Sequence, residues 1–433
     1  MDRMVLAKLK QISNQVKTAV RTKSDDQAKH IVGLDIGTEF VKALIGRVEG
    51  DKIKIIGVGR QRQGLSDMHS GAISDISAVV ANCDQALTQA EAQAGVSARR
   101  AIIGIAGELV KGTTNTVRYK RPEPAKEITI EEMEHILSRV QKRTYEQAKA
   151  QVAWETGNQD VDVKLVNSAL VSIHIDAYKV TNPIGFQGKD VAVQIYTAFA
   201  PMIHIGALER VANELDLELI AVAAEPFAVT RAVIGTDASS NLSAVTIDVG
   251  GGTTDVAVVN DGGVEGTKMF GIGGRAFTKT IAAELTKSFD EAEDIKLKLG
   301  EAGLEEATEQ KASAAAQKTL SVWLDGVKLA LGEFDKVDQL PNNLLLCGGG
   351  ASLRMLTDAL GAGEWYKEVA FTKRPQVKLI EPSQVVGVVD LSGKVTDHTF
   401  ITAMGLLRVG LDTVNPAEDS GSIRDKLNKL LKV

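Results

Sequence analysis

Residues 245–258 read VTIDVGGGTTDVAV, in which two apolar runs flank a turn of three glycines and two threonines. The β-branched residues on both sides of the turn predict a pair of strands. Asp248 ends the first run, where a buried carboxylate is unfavourable unless it serves a cation. Glycines let the backbone approach phosphate oxygens and donate several N–H groups, and Thr253 and Thr254 add hydroxyl donors. The segment therefore predicts a phosphate-binding hairpin.

A second copy of this pattern lies at residues 32–44, VGLDIGTEFVKAL. It repeats the order of strand, acid, glycine turn with a hydroxyl, and strand, with Asp35 as the acid and Thr38 as the hydroxyl. Two such hairpins facing each other across a cleft would hold a triphosphate. Mg²⁺ is usually bound by one or two carboxylates together with phosphates and waters, so we predict that Asp35 and Asp248 hold Mg²⁺ through water. A third glycine group, 348–350, follows a short apolar run.

The composition places the chain among soluble globular proteins. It has 433 residues, 44% apolar and 24% charged, and the length predicts about two to four domains. The 40 glycines and 9 prolines exclude a disordered chain and a collagen-like repeat, and a net charge of −6 argues against a nucleic-acid partner. Two cysteines, no apolar run of about 18 residues and no apolar signal-peptide core predict a cytoplasmic protein without a transmembrane helix.

Between the hairpins and beyond them, periodicity predicts the remaining elements. Residues 31–58 are predicted to form a three-stranded meander, and residues 97–189 an inserted α+β subdomain. Residues 301–317, EAGLEEATEQKASAAAQ, are compositionally biased and are predicted to be a mobile loop or a frayed helix. Helices are predicted at 75–94, 129–150, 202–215, 275–300, 318–334, 353–360 and 400–409.

Both ends of the chain predict amphipathic helices. Residues 1–23 are basic and could form a second anchor or a partner helix. Residues 420–433, SGSIRDKLNKLLKV, place four apolar side chains on one face with basic residues beside them, which is typical of a helix docked on the domain or lying on a membrane. Burial of the four would contribute at most about 6–12 kcal/mol, and helix ordering consumes most of that. A single copy of the chain would therefore bind a membrane only marginally. A polymer that presents many copies of the helix would bind the membrane firmly. The four are Ile423, Leu427, Leu430 and Leu431.

The order of motifs resembles that of the actin/sugar-kinase/heat-shock-70 ATPase superfamily: hairpin, AAEPFAVTRAV (223–233), hairpin, LLCGGGASL (345–353) and FITAMGLLRVG (400–410). Within it, the chain is similar to the FtsA family of bacterial actin-like cell-division proteins. That similarity rests on the insert and on the runs TNPIGFQGKDVAVQIYTAFA (181–200) and MFGIGGRAFTKTIAAEL…DEAEDIKLKLG (269–300).

The resemblance implies an α/β, actin-like ATPase fold with two duplicated lobes and an inserted α+β subdomain of the 1C type. It implies the following division of the chain: a basic N-terminal extension at 1–29; subdomain 1A at 30–96, 190–222 and 390–411; 1C at 97–189; 2A at 223–274 and 335–389; 2B at 275–334; and a linker with a C-terminal amphipathic helix at 412–433.

The resemblance also implies roles for residues around a nucleotide. Glu225 would orient the attacking water, although its position before Pro226 is equally that of a residue that begins a helix. Glu293 and Lys296 would contact ribose and adenine, although they could be an ordinary exposed helix pair. The remaining implied contacts are phosphate loop one, Asp35, Gly37 and Thr38; phosphate loop two, Gly250, Gly251, Gly252 and Thr253; a nearby turn, Gly273 and Gly274; and the adenine loop, Gly348, Gly349 and Gly350.

The implied function is an ATP- and Mg²⁺-binding protein that polymerises and tethers the ring of the tubulin-like protein FtsZ to the cytoplasmic face of the inner membrane. Its implied partners are the FtsZ C-terminal peptide, other division proteins and further copies of itself. Hydrolysis, if it occurs, would be slow. Residues 301–353 contain no arginine, whereas FtsA sequences usually carry arginines there, near the FtsZ peptide. Binding of that peptide is therefore left open.

Two other functions fit the same core. A PilM-type protein of type IV pilus assembly would bind ATP and a short peptide of an inner-membrane partner, but a terminal membrane helix argues against it. A sugar or acetate kinase would need a substrate loop with a catalytic aspartate outside the hairpins, and neither half of the sequence offers an obvious one.

Overall fold

The computed structural model of the chain describes residues 29–107, 110–234, 242–300 and 303–414. The amphipathic helices predicted at 1–23 and 420–433, including Ile423, Leu427, Leu430 and Leu431, lie outside the described residues.

The described residues form an alternation of strands and helices. The strands are β1 His30–Ile36, β2 Phe40–Glu49, β3 Lys52–Arg62, β4 Met68–His69, β5 Ala72–Ile73, β6 Arg100–Ile105, β7 Lys111–Lys120, β8 Val163–Ile175, β9 Tyr178–Val180, β10 Asp190–Pro201, β11 Glu218–Ala224, β12 Ala244–Val249, β13 Thr254–Asn260, β14 Gly263–Phe270, β15 Asn343–Cys347, β16 Gln376–Leu379 and β17 Val388–Asp390. The helices are α1 Ile76–Ala94, α2 Ile130–Thr156, α3 Met202–Glu214, α4 Glu225–Ile234, α5 Gly274–Leu285, α6 Phe289–Leu297, α7 Glu306–Gly332, α8 Arg354–Gly361 and α9 Ile401–Val414.

The first sheet has the strand order β11-β6-β1-β2-β3-β17. Its centre is the predicted antiparallel meander β1-β2-β3, and β6 pairs parallel to β1. Helix α1 lies directly against β3, because a Cβ at Gly59 would be 1.7 Å from the carbonyl oxygen of Ala86. Asp75 caps the start of α1 by accepting a hydrogen bond from the Ala78 N–H.

The second sheet repeats this arrangement. Its order β16-β15-β12-β13-β14 matches β11-β6-β1-β2-β3 strand for strand, with an antiparallel meander and parallel outer strands. Each meander begins with one of the two acid-and-glycine hairpins. The predicted actin-like duplication is therefore confirmed, and it places the two hairpins at corresponding positions of the two lobes.

The inserted subdomain contributes four strands, in the order β7-β10-β8-β9, which are covered by α2. These strands continue the sheet of the second lobe, because β7 pairs with β14 at two positions, Thr113 with Gly266 and Gly112 with Thr267. Gly112 is required there, since a Cβ would be 1.9 Å from Thr267 Oγ1. The insert thus links the lobe that carries it to the edge of the other lobe.

Sheet membership differs from the predicted boundaries of the insert, 97 and 189. Strand β6 lies within the predicted insert but pairs with β1 and β11 in the first sheet. Strand β10 was assigned to the first lobe but pairs along its whole length with β7 and β8. Periodicity shows where strands are, but the choice of neighbour depends on contacts distant in sequence.

Several predicted elements are wrong in extent, and three of these differences bear on the site or on the packing of the lobes. The segment 301–317 is no loop where it is described, because α7 runs unbroken from Glu306 to Gly332. Its many alanines let the helix pack closely, and Trp323 is fully buried with its Nε1–H donating to Thr254 Oγ1 at 2.9 Å. The helix predicted over 275–300 is two helices, since Ser288 forms a capping box that starts α6. Helix α9 continues to Val414, beyond its predicted end and into the predicted linker.

Each lobe has its own hydrophobic core, and the insert has a smaller one between α2 and its sheet. Among the helices of the described residues, none combines the length and the apolar character that crossing a bilayer requires.

Candidate functional site

The turns of the two hairpins lie directly against each other. A Cβ at Gly252 would be 2.7 Å from Thr38 Oγ1, and a Cβ at Gly251 would be 2.8 Å from the Cβ of Glu39. The structure therefore brings the two predicted phosphate loops together. The meeting point lies between the two lobes, where a charged ligand would touch both.

The N-terminus of α5 holds the second turn in place. The N–H of Gly274 donates to the Gly250 carbonyl oxygen at 2.9 Å, and that of Arg275 donates to the Gly251 carbonyl oxygen at 2.8 Å. A Cβ at Gly273 would be 2.6 Å from the Gly250 oxygen, so the turn and the helix can approach only with glycine there. The positive end of the helix dipole thus lies beside the turn, which favours an anionic ligand.

Asp35 and Asp248 are both buried at this meeting point, 3% and 6% exposed. Asp35 Oδ2 lies 2.9 Å from Lys42 Nζ, and Asp248 accepts a hydrogen bond from the Thr402 hydroxyl. Burial raises the pKa of Asp248, although Thr402 and Lys42 oppose the shift. Two buried carboxylates with one lysine nearby form a site that favours an added cation.

Sequence reasoning missed Lys42, although the hairpin register could have found it. In the β1–β2 ladder Lys42 is the partner of Asp35. Burial lowers its pKa, but attraction to Asp35 and their hydrogen bond outweigh that effect, so the pKa of Lys42 is raised. A buried and firmly charged lysine beside two glycine turns is suited to bind a phosphate oxygen.

Asp255 was also missed, although it ends the quoted motif DVGGGTTD and pairs with Asp248 in the β12–β13 ladder. Its Oδ1 is buried without a hydrogen-bond partner among the described residues. Burial, together with repulsion from Asp248 and Asp35, raises the pKa of Asp255 well above its usual value. An unpartnered buried oxygen here fits a site that a cation or its bound water completes.

Glu225 is the first residue of α4 and is 8% exposed, so it both begins a helix and faces the site. Burial, and then repulsion from Asp35, Asp255 and Asp248, raises its pKa well above the usual range. A Cβ at Gly104 would be 2.9 Å from the Oε1 of Glu225. The glycine in β6 therefore leaves room for this carboxyl group.

The predicted ribose and adenine contacts form a buried network rather than an exposed helix pair. Lys296 is 6% exposed and its Nζ donates to Glu293 Oε2 at 2.8 Å, to Thr278 Oγ1 at 3.0 Å and to the Gly274 oxygen at 3.2 Å. Thr278 also donates to Glu293. A Cβ at Gly274 would be 4.0 Å from the Cα of Gly350, so this network adjoins the third glycine group.

Glycines 348–350 occupy different surroundings. Gly348 has a φ of +83°, and a Cβ there would be 2.1 Å from Asp248 Oδ1. A Cβ at Gly350 would be 2.5 Å from Val249 Cγ1, whereas one at Gly349 would have no heavy atom within 4 Å. The loop is therefore tied to the second hairpin through Gly348 and Gly350 and leaves open space at Gly349.

An ion-pair network crosses between the lobes beside the turns. Glu39, from the first hairpin, accepts from Arg62 at 2.7 Å and from Arg275, at the start of α5, at 2.6 Å. Arg275 also donates to the Gly64 and Leu65 carbonyl oxygens at 3.3 and 3.4 Å. This contact fixes the first hairpin to the second lobe.

No group of three or more histidine, cysteine, aspartate or glutamate side chains in the described parts of the chain is arranged to hold a metal ion by itself. Mg²⁺ uses one or two carboxylates and takes the rest of its ligands from phosphates and water. Asp35 and Asp248 remain the two carboxylates predicted for such an ion, and the unpartnered oxygen of Asp255 lies in the same buried group.

Comparison with known proteins gives consistent matches over most of the chain. A family profile described as "Cell division protein FtsA" matches residues 245–405. FtsA of Neisseria meningitidis serogroup B is 28% identical over 427 residues, which cover 93% of this chain and 95% of that protein. FtsA of Bacillus subtilis is 30% identical over 284 residues, which cover 65% of this chain and 60% of that protein. FtsA of Pseudomonas aeruginosa is 25% identical over 414 residues.

Among solved structures, a chain of a "PilM-PilN type IV pilus biogenesis complex" is similar with a TM-score of 0.64. Sequence identity is 16%, and the match covers 88% of this chain and 98% of that chain. At this identity the likeness concerns the fold, which is the two-lobed actin-like architecture with an insert.

Proposed function

Because this chain is a relative of the FtsA cell-division proteins, we propose that it is an actin-like ATP-binding protein that polymerises and tethers an FtsZ ring to the cytoplasmic face of the cell membrane. The observation that carries the proposal is the contact between the two hairpins, which gathers Asp35, Lys42 and Asp248 beside the glycine turns. Division proteins other than FtsZ and further copies of the chain are the remaining proposed partners.

In the proposed complex the triphosphate lies between the two turns. The backbone N–H groups of the turns and the Lys42 ammonium would bind its oxygens, and Asp35 and Asp248 would hold Mg²⁺ through water. When bound, Mg²⁺ bridges phosphate oxygens and neutralises part of their charge. The network around Lys296 and the open space at Gly349 would accept ribose and adenine.

Glu225 is the proposed group that orients the attacking water, and its raised pKa gives a test. We expect Glu225→Gln to retain ATP binding but to lower any ATP turnover about 100-fold or more. Without nucleotide, the variant should be more stable than the wild type at pH 8 and similar at pH 4. The reason is that, above its usual pKa, the carboxyl group ionises in the unfolded chain more readily than in the folded protein. Urea unfolding across this pH range and a phosphate-release assay measure the two effects.

Glu214→Gln is the matched control, since that glutamate is exposed at the end of α3 and forms a surface pair with Arg210. It should change neither turnover nor the pH dependence of unfolding. A Glu225→Gln variant with normal turnover would remove Glu225 from the mechanism. A variant with the wild-type pH dependence would show that the carboxyl group is not held protonated.

Membrane attachment is proposed through residues 420–433, with Ile423, Leu427, Leu430 and Leu431 on the apolar face. The test is sedimentation of the full chain with anionic vesicles, with and without ATP and an FtsZ C-terminal peptide. We expect ATP to increase the sedimented fraction, because a polymer presents many weak anchors together. The peptide should sediment with the protein only when vesicles and protein are both present.

Deleting residues 420–433 should release the protein from the vesicles and leave ATP binding unchanged, as measured by calorimetry. Vesicle binding that survives the deletion would contradict the proposed anchor and direct attention to residues 1–23. Vesicle binding that survives the deletion, together with no binding of the FtsZ peptide, would favour the PilM-type function, which the structural likeness to a PilM–PilN complex keeps as the second candidate.

A further inference from the structure

The inserted subdomain carries a groove of about 610 Å³ that lies far from the hairpins in sequence. One wall is the strand β7 and the other is a face of α2. Val117, Tyr119 and Ile136 form its apolar floor, and Tyr119 and Val117 are half-buried against the core of the insert. The charged lining consists of Arg118, Lys120, Arg139, Lys142, Arg143 and Glu146.

The groove is strongly positive in a chain whose net charge is −6. Its five basic side chains are exposed, and Glu146 is the single carboxylate in the lining. Among the ion pairs of the described residues, none involves any of these five, although basic side chains elsewhere in the chain form many. Arg139 lies over the Tyr119 ring, 5.9 Å from its centre, which holds one cation at the floor of the groove.

The helical wall repeats its charge along one face. Arg139, Lys142 and Arg143 are spaced at i, i+3 and i+4, which places them side by side on α2. Like charges at this spacing destabilise a helix by a few tenths of a kilocalorie per mole. An anionic partner at this face would remove that repulsion.

The strand wall presents an unpaired backbone edge. The N–H of Arg121 donates to the Lys189 oxygen at 2.9 Å, at the end of the β7–β10 ladder. Along a strand, the backbone N–H and C=O groups of successive residues point to opposite edges. The odd-numbered residues of β7 therefore form backbone hydrogen bonds with β10, and the backbone groups of the even-numbered residues point to the other edge. Lys336 Nζ, 3.3 Å from the Thr114 oxygen, lies on that other side.

On this open side β7 pairs with β14 only as far as Thr113, within the part of the chain that the structure describes. Thr116, Arg118 and Lys120 therefore direct their backbone N–H and C=O groups into the groove without a partner strand. A row of free backbone groups next to an apolar floor is the surface to which an extended peptide adds as a new strand.

We propose that this groove binds an acidic segment of a partner protein, in extended conformation, as a strand added to the open edge of β7. Alternate side chains of the segment would point to the apolar floor and to the basic rim. A flat lipid surface would not satisfy the strand edge at the side of a concave groove, and a nucleic acid would leave its N–H and C=O groups unpaired. The inference is independent of the nucleotide site.

The test uses the full chain and a fluorescein-labelled octapeptide of alternating glutamate and valine, titrated by fluorescence polarisation to about 1 mM. We expect saturable binding that weakens as salt is raised. The double variant Arg139→Glu/Arg143→Glu should weaken it at least about tenfold, because two attractions become repulsions. Lys311→Glu, a charge reversal at an exposed position of α7, should change the affinity less than about twofold.

Two further measurements separate strand addition from simple charge attraction. Methylating all the backbone nitrogens of the octapeptide should abolish binding, because the added strand then lacks N–H donors on whichever edge faces β7. Hydrogen exchange should slow at the amides of Thr116, Arg118 and Lys120 when the unmethylated peptide is bound.

Several outcomes would overturn the proposal. They are failure of the wild type to bind the octapeptide, equally tight binding of a control octapeptide of alternating lysine and valine, and unchanged binding of the octapeptide to the double variant. Retained binding of the methylated peptide would also overturn it. If the double variant binds the octapeptide as the wild type does but sediments less with phosphatidylglycerol vesicles, the groove would be assigned to a membrane instead. If it binds the octapeptide as the wild type does but has a different oligomeric state, the groove would be assigned to a second copy of the chain.

Discussion

Replacing Gly251 with valine is expected to abolish adenine-nucleotide binding, with a loss of affinity of about 100-fold or more. Each tenfold loss corresponds to about 1.4 kcal/mol of binding free energy. The new Cβ would be 2.8 Å from the Cβ of Glu39 and 3.1 Å from its backbone nitrogen. Backbone atoms cannot rotate away, so the two turns must move apart, and a triphosphate bound by both would lose half of its donors. Isothermal titration calorimetry with MgATP measures the loss.

Gly206→Ala is the control for this substitution. Gly206 lies in α3, where an added Cβ would have no heavy atom within 4 Å, and alanine favours a helix by about 1 kcal/mol. It should leave ATP binding unchanged and slightly raise the melting temperature. Gly251→Ala should fall between valine and the wild type. Normal ATP affinity in a well-folded Gly251→Val variant would contradict both the site and the proposed function, without bearing on the groove of the insert.

Replacing Lys42 with methionine is expected to cost about 3–5 kcal/mol of unfolding free energy in the absence of nucleotide. Methionine keeps most of the side-chain volume, so the loss reflects charge rather than a cavity. Asp35, with a side chain 4% exposed, would lose the partner 2.9 Å away and remain as an uncompensated buried carboxylate. Guanidinium unfolding at pH 7 with EDTA measures the effect.

Added Mg²⁺ should recover part of this loss in the Lys42→Met variant, because a divalent cation can replace the missing positive charge beside Asp35 and Asp248. The control is Lys54→Met, which removes a partly exposed ion pair with Glu49 in the same sheet and should have little effect. A Lys42→Met variant as stable as this control would show that the Asp35 carboxylate is solvated in the protein. It would then need no cation.

The link between β7 and β14 affects how the two lobes can move. Because the insert belongs to the lobe that carries the first hairpin, its pairing with the second sheet joins the lobes at a place remote from the nucleotide. The Glu39–Arg275 ion pair joins them beside it. If the lobes close around a ligand, they must rotate about the β7–β14 pairing or break the Glu39–Arg275 ion pair. Of these two connections, the Glu39–Arg275 ion pair is the one that lies next to the turns.

Local sequence alone located most of the elements that carry the site. The hairpins at 32–44 and 245–258, and the strand and glycine group that end at Gly350, follow from alternation and glycine placement, which depend on adjacent residues. The duplication of the hairpin was predicted for the same reason, whereas the actin-like class came from the resemblance of the motif order to that superfamily. For 301–317 the sequence left a mobile loop and a frayed helix open, and the loop alternative is wrong. An alanine-rich helix such as α7 resembles a compositionally biased linker until the core that buries it is known.

What the sequence determined by itself is the duplicated acid-and-glycine hairpin and its suitability for a phosphate, because a turn's chemistry lies within a few consecutive residues. Tertiary structure alone decided that the turns of the two hairpins meet, that Glu225 is buried beside three other carboxylates, and that β10 pairs with the strands of the insert. It also decided that β7 keeps an open edge under a basic helix. These features depend on which strands become neighbours, and strand pairing is settled by contacts between residues far apart in the chain.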